Sequence, residues 1–299
     1  MIGSFFALIV ILAATIVGVP LQWISIKLRL PLRRWIPCLY HRLILRMLSI
    51  HVGVHGAPAA ERPLLLVSNH SSWIDILALS SITPLKFIAK SEIAGWPLFG
   101  LFAKLQRSVF VNRSRRQATA DVNREIAARL SEGDPVVLFG EGTSGDGNRV
   151  LPFRTALLGA MQQVLGEHGH GFLQPVSISY TRLHGIPLGR QHRSHAAWYG
   201  DISLLPHLVR VFRLGAIDVV MTFGTPVAVE ASTDRKALAL SLEQAVRRMN
   251  AAALAGRGGI AHVSKPLHGA ASQFPSRPKP GKSSPVAERR WASRENSSV

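Results

Sequence analysis

The chain has 299 residues, with 35 Lys+Arg against 17 Asp+Glu for a formal charge of +18, 47% hydrophobic residues and a single cysteine. A chain of this length and apolar content can bury one large core or two modest ones, which excludes a wholly disordered chain and a small secreted scaffold. Cys38 alone makes no intramolecular disulfide, four-cysteine zinc site or CxxC pair, so a reducing compartment or the cytoplasmic face of a membrane fits best.

The positive charge is concentrated at the ends. Up to Ala60 there are six basic residues (Lys27, Arg29, Arg33, Arg34, Arg42, Arg46) and no acid, and the stretch from Gly256 is again strongly basic. Nucleic acid, an anionic lipid surface and an acidic protein are the partners such ends suggest. The N-terminus favours lipid. Ile2 to Ile26 is uncharged, and a helix crosses a bilayer core with roughly 20 apolar residues. A secretory signal places its basic residues before the apolar run. Here Lys27, Arg29, Arg33 and Arg34 follow it, so the positive-inside tendency keeps the rest of the chain in the cytoplasm. The expectation is a retained anchor. Trp35 to Leu48 then spaces Trp35, Leu39, Leu43, Leu45 and Leu48 among His41, Arg42 and Arg46, as in an amphipathic helix at the membrane interface; a buried core helix with snorkelling basic side chains is the alternative.

Beyond Ala60 the pattern is α/β. Leu64–Ser68, Val136–Phe139, Leu173–Tyr180 and Ile217–Phe223 are short apolar runs that predict buried strands. Arg115–Leu130, Thr155–Leu165 and Arg235–Ala255 have helical spacing. Alternation of this kind implies a sheet flanked by helices. From about His262 the sequence turns to Pro, Ser, Lys and Arg, too polar to order itself by burial. The expected organisation is residues 1–50 as membrane anchor and interfacial helix, 51–255 as the α/β domain and 256–299 as a basic disordered tail.

Two segments carry chemistry. Ser68-Asn69-His70-Ser71-Ser72-Trp73-Ile74-Asp75 follows the first predicted strand, where open α/β sheets place their ligands. His70 and Asp75, five apart, fall on different faces of a continuous helix and can meet only across a turn. If Ser71 or Ser72 caps a helix, Asp75 in its first turn can fix the tautomer of the His70 ring and stabilise the imidazolium, while the other ring nitrogen takes a proton from a hydroxyl. The competing interpretation is an S-x-x-D capping box beside an ordinary loop histidine. The second segment is Phe139-Gly140-Glu141-Gly142-Thr143-Ser144, a strand running into glycines whose amides can approach an anion. An ordinary glycine turn with a solvated Glu141 is the alternative. This segment carries no GK[ST], and no GxGxxG opens a helix here, so nucleotide binding has no support.

Together, Asn69-His70 with Asp75 and, some 65 residues on, Phe139-x-Glu141-Gly142-Thr143 resemble the HxxxxD and FPEGT motifs of the glycerolipid acyltransferases, the lysophosphatidic acid acyltransferase family. Lys90-Ser91-Glu92 with Pro97 and Gly100 looks like the family's connecting segment, Phe110-Val111-Asn112-Arg113 like its second motif and Leu173-Gln174-Pro175-Val176 like its fourth. The resemblance implies that His70 is the general base and Asp75 its orienter. It also implies that Asn112, Arg113, Glu141, Gly142 and Thr143 bind substrate and that neither metal nor organic cofactor is needed. An acceptor hydroxyl would attack an acyl thioester of acyl carrier protein or coenzyme A, the basic charge favouring the acidic carrier protein.

Two departures bear on the acceptor. Gly140 stands where the family usually has proline, and Ser144 where it usually has the arginine that follows FPEGT. One neutral hydroxyl is a poor substitute for a charge-assisted fork to phosphate, unless Arg149 or Arg154 replaces it. The stretches 144–160 and 178–190 are most similar to lyso-ornithine lipid acyltransferases. Lyso-ornithine lipid is therefore the expected acceptor, with lysophosphatidic acid as runner-up.

The other classes fare worse. A serine hydrolase would want the absent G-x-S-x-G elbow. His168/His170 and His192/His195 lack a matching acidic or cysteine set for a metal. A nucleic-acid module would want an aromatic-interleaved basic sheet or a recognition helix. A catalytically dead scaffold is disfavoured by the intact His70/Asp75 pair.

Overall fold

A computed structural model describes residues 2–111, 119–154, 165, 169–230 and 232–257. It opens with two helices, α1 (Ile2–Lys27) and α2 (Leu32–Met47), followed by strands β1 (Ile50–His55) and β2 (Leu64–Ser68). Next come α3 (Ile74–Ile82), β3 (Lys86–Lys90), a 3-10 turn at Ser91–Gly95, α4 (Phe99–Leu105), β4 (Val109–Val111), α5 (Thr119–Ser131) and β5 (Val136–Phe139). The remainder is β6 (Gly171–Leu183), β7 (Ile186–Pro187), α6 (Arg190–Arg193), α7 (Leu204–Leu214), β8 (Ile217–Phe223), β9 (Val227–Val229) and α8 (Arg235–Leu254). All but Leu165 of the helix expected over 155–165 lies outside the described residues, as do the first residues of the one expected from Arg115 and nearly all of the expected tail.

The strands form one sheet in the order β1-β8-β6-β2-β5-β3-β4, with β7 and β9 paired to β6. β2 is its middle strand and runs parallel to both neighbours, Ser68 facing Phe139 of β5 and Val176 of β6. Its side chains alternate between two cores, Leu64 and Leu66 on one face and Leu65 and Val67 on the other. α2, α3 and α7 cover the first face through Leu45, Leu79 and Val211. α5 and α8 cover the second through Leu130 and Leu242. A strand buried on both faces reads as an unbroken apolar run, which is why β2 and β5 stand out in the sequence. β1, β3 and β4 do not. β1 carries two histidines and a glycine and β3 a lysine at each end, and the pairing that makes them strands is not written in their own residues.

α1 and α2 form an antiparallel hairpin. Thr15 Oγ1 lies 2.6 Å from Tyr40 Oη, and near the turn Gln22 Nε2 donates to Arg33 O at 3.0 Å and to Leu105 O of α4 at 2.8 Å. Phe5–Lys27 is long and apolar enough to cross a membrane, with a mean hydropathy of 2.3 and only 11% buried. α2 departs from a free interfacial helix. Trp35 and Leu39 stay exposed, but Leu45 and Leu48 join the core and Arg42 turns back to cap α3, donating from Nε to Ser81 O at 2.6 Å. A cation on the last carbonyls of a helix is favourable for the dipole as well as the hydrogen bond.

The base of the hairpin is tied to the sheet by charge. Lys86, 3% exposed, has its ammonium 2.5 Å from Glu132 and 3.3 Å from Asp134. Arg107 grips the same Glu132 with both guanidinium nitrogens at 2.6 and 2.7 Å, and Arg34 of α2 reaches Asp134 at 3.2 Å. Burial alone would raise the Glu132 carboxyl, but the hydrogen bonds and charges of Lys86 and Arg107 outweigh it and hold the group at about 2. A depressed carboxylate stabilises the fold above its unfolded pKa near 4.5, and that contribution is lost as pH falls through about 2. Glu132→Gln leaves Lys86 buried with one partner, so it should cost about 2 kcal/mol at neutral pH, the penalty shrinking towards pH 2. Denaturant melts of both proteins at pH 7 and pH 3 check this; an equal loss at both would show that the carboxylate is not ionised.

Candidate active site

The site is built at the carboxyl ends of the three central strands. β2 delivers Asn69 and His70, β5 on one side of it delivers Phe139 to Glu141, and β6 lies along its other side. Asn69, 3% exposed, is a peg: its amide donates to Ile178 O at 2.9 Å and accepts from Ile178 N at 2.8 Å, completing a strand-like pair with β6. The chain leaving β2 is thereby held against its neighbour before α3 begins.

His70 and Asp75 meet across the turn. Nδ1 of His70 is 2.9 Å from Asp75 Oδ2, which also accepts the backbone N–H groups of Ser71 at 2.6 Å and Ser72 at 2.9 Å. The other oxygen, Oδ1, accepts Tyr180 Oη at 2.5 Å. The carboxylate half of a capping box is thus present, but no serine side chain caps α3, whose first residue is Ile74. Capping and orientation are two uses of one carboxylate. An acceptor on Nδ1 fixes the neutral ring with its proton there and leaves Nε2 as the basic nitrogen. The imidazole lies flat on Phe139, ring centroids 3.9 Å apart and planes 17° off parallel, and its side chain is 17% exposed. Two constraints, a hydrogen bond at one edge and an aromatic face beneath, leave the ring little freedom.

Glu141 has a different place from the expected one. Its side chain is turned into the protein, the residue being 3% exposed: Oε1 accepts Leu151 N at 2.9 Å and Oε2 accepts His70 N at 3.3 Å. It is a positioning residue that joins the loop after β5 to the backbone of His70, not a group presented to a ligand. Gly142 turns the chain with φ +69°, and Thr143 is exposed at the rim. Asn112 and Arg113 lie outside the described residues.

Gly140 has a local reason. A Cβ there would meet the Phe153 ring at 2.7 Å, and its N–H donates to Ser68 O at 2.9 Å, a bond that proline has no hydrogen to make. The loop beyond it wraps the histidine segment, Gly145 N donating to His70 O at 2.9 Å, while Trp198 N donates to Ser71 O at 2.7 Å from the other side. Arg149 and Arg154 are both exposed. A third arginine packs on the same loop: Arg193 of α6 donates to Asn148 Oδ1 at 3.0 Å, and its Cβ is 3.9 Å from the position a Cβ would take on Gly147, as is Ser71 Oγ. Neither Tyr180 nor Arg193 stands out in the sequence. Tyr180 looks like any strand aromatic, and Arg193 lies in a polar stretch with no motif. Their contacts, Tyr180 with Asp75 and Arg193 with Asn148, are purely tertiary.

Among the described residues there is no group of three or more His, Cys, Asp and Glu side chains that could hold a metal.

Comparison with known proteins agrees with this geometry. Residues 51–179 match the acyltransferase family. The chain is 47% identical over 262 residues to the lyso-ornithine lipid O-acyltransferase of Brucella abortus, covering 86% of this chain and 98% of that protein. The chain belongs to this acyltransferase family. It is also 44% identical over 254 residues to the lyso-ornithine lipid O-acyltransferase of Rhizobium meliloti, covering 84% of this chain and 87% of that one. Its fold resembles the crystal structure of the 1-acyl-sn-glycerophosphate acyltransferase PlsC of Thermotoga maritima, with a TM-score of 0.54 at 23% identity over 76% of this chain and 83% of that chain. The protein is an acyltransferase enzyme of mixed α/β fold.

Burial, against the opposing hydrogen bonds from Leu151 and His70, pushes the Glu141 carboxyl up to about 8. A raised carboxyl contributes stability that is complete below its unfolded pKa near 4.5 and is lost as pH rises through about 8. Glu141→Gln removes that titration. The melting temperature of the variant relative to the parent should therefore climb between pH 5 and pH 8 and level off above; a constant difference would mean that Glu141 stays ionised throughout.

Proposed function

We propose that this acyltransferase moves a fatty acyl group from the thioester of acyl carrier protein to the free hydroxyl of lyso-ornithine lipid, giving ornithine lipid. The observation that carries the acceptor is the 47% identity to a lyso-ornithine lipid O-acyltransferase across nearly all of that protein. Ser144 supports it. Where a guanidinium would form a bidentate pair with phosphate, this chain offers a hydroxyl, and a head group bearing an amino acid does not need the fork.

In this reaction Nε2 of His70 accepts the proton of the acceptor hydroxyl as its oxygen attacks the thioester carbonyl. Asp75 stabilises the imidazolium across the 2.9 Å contact. When the tetrahedral intermediate collapses, the C–S bond breaks and the imidazolium returns its proton to the thiolate. The steps need only these two side chains and the two substrates, so the chemistry balances without a further reagent. Asn112, Arg113, Gly142 and Thr143 bind the acceptor in this proposal, and Glu141 holds the loop that carries Gly142 and Thr143.

The reaction takes place at the membrane, on its cytoplasmic face. Phe5, Phe6, Leu12, Ile16 and Val17 of α1 are each more than half exposed, and with Trp35 and Leu39 of α2 they make an apolar surface that lipid would cover. Residues 1–50 are the anchoring part of this arrangement, 51–255 the catalytic part and 256–299 a basic tail. Lys27, Arg29 and Arg33 lie where anionic head groups would meet them, each near-surface cation adding roughly 1 kcal/mol.

The test is transfer by detergent-purified protein from acyl carrier protein and from coenzyme A, to lyso-ornithine lipid and to lysophosphatidic acid in parallel. Lyso-ornithine lipid should be the better acceptor, and His70→Ala should lose roughly a thousandfold in kcat. Preference for lysophosphatidic acid would overturn the acceptor, and an active His70→Ala would overturn the mechanism. In a second variant, Ser144→Arg should raise kcat/KM for lysophosphatidic acid relative to lyso-ornithine lipid by roughly tenfold, the value of one charge-assisted contact; an unchanged ratio would mean that position 144 does not read the head group.

A further inference from the structure

The Asp75 carboxylate is wholly buried, so its oxygens have no water to lean on. Three of its four donors come from its own turn: His70 Nδ1 and the N–H groups of Ser71 and Ser72, all on Oδ2. The fourth comes from 105 residues away, where Tyr180 Oη, itself 1% exposed, donates to Oδ1 at 2.5 Å. Tyr180 lies on β6 two residues after Ile178, the residue whose backbone holds Asn69 at 2.9 and 2.8 Å. One strand therefore grips the segment containing the histidine at both ends, Asn69 through main chain and Asp75 through a side chain.

We infer that Tyr180 is a positioning residue for acyl transfer: by occupying Oδ1 it sets both the direction of the Asp75 carboxylate and the negative charge that Asp75 offers to the His70 ring. This rests on His70 being the general base. A donor to a carboxylate spreads its charge and lowers its basicity, so Tyr180 tempers the pull of Asp75 on the Nδ1 proton of His70. Without it, Oδ1 is a buried acceptor with no partner. The carboxylate then turns or leans harder on the imidazole, and the conjugate acid of His70 becomes weaker. The hydroxyl is fit for the task at every working pH. Burial, with the Asp75 charge and hydrogen bond, raises the phenol well above its usual range, so it stays a protonated donor.

Tyr180→Phe removes the donor and keeps the ring that fills the core. With acyl carrier protein thioester and the acceptor the parent uses, kcat should fall roughly tenfold, the scale of one hydrogen bond to a charged group, while KM stays within about twofold. The acid limb of the kcat/KM profile should move to higher pH. In an Asp75→Asn background the same change should cost little more, because its effect is transmitted through the carboxylate. Should Tyr180→Phe fail to fold, 3-fluorotyrosine introduced at position 180 keeps ring and donor with a more acidic hydroxyl, and should move the acid limb to lower pH.

The inference is overturned if Tyr180→Phe, or the fluorinated residue, leaves the limb in place, or if the losses from Tyr180→Phe and Asp75→Asn simply multiply in the double variant. Those results would leave Tyr180 as a packing residue. An unimpaired His70→Ala would instead overturn the assignment of the base, so the two failures are distinct.

Discussion

A single buried carboxylate organises the carboxyl end of the central sheet. Asp75 is out of contact with water and holds four donors from two distant parts of the chain. A charge in such a place is tolerable only when its lone pairs are filled by well-aimed donors. Everything that meets there must be in position at once: the tight turn after β2, the first residues of α3 and the tyrosine of β6. The histidine inherits its orientation from that constraint, and Phe139 at the end of β5 supplies the surface beneath it.

The sheet makes the constraint affordable in geometry. β2 is central and parallel to β5 and β6, so three strand ends converge on one small region. Each contributes a different kind of support. β6 holds side chains by its backbone and its tyrosine, β5 brings an aromatic ring and a buried acid, and β2 carries the histidine itself. Asn69, beside the histidine of its motif, and Glu141, expected to bind substrate, both face inward and bond to backbone. Motif residues here serve the loops as much as the chemistry.

The helical hairpin is joined to the opposite end of the sheet by a second charged cluster, centred on Glu132 and the buried Lys86. β3 and β5 begin there, whereas His70 follows the carboxyl end of β2. The apolar surface of α1 is thus carried by a hairpin bonded to the sheet and its helices, with Gln22 of α1 reaching the Leu105 carbonyl of α4. A rigid attachment of this kind fixes the site relative to whatever surface α1 contacts.

How much of this the sequence announced follows from the range of each interaction. Runs such as Leu64–Ser68 and Val136–Phe139 are strands because burial on both faces demands continuous apolar residues, and that demand is local. The pairing of His70 with Asp75 was legible for the same reason, since a five-residue gap needs only a turn. α1, α2 and α8 were equally plain from composition and periodicity. What the chain order could not express is who sits beside whom across the sheet. That β1, β3 and β4 are strands depends on partners as far off as Ile217 or Val136. That Glu141 faces inward depends on Leu151 and His70 offering their N–H groups. Tyr180 reaches Asp75, and Arg193 reaches Asn148, only because β6 lies against β2 and the segment after it folds back over Ser71. Sequence determined the family, the strands of the core and the meeting of His70 with Asp75; tertiary structure decided which polar groups are buried and satisfied, because hydrogen bonds between distant segments exist only once the sheet has brought their ends together.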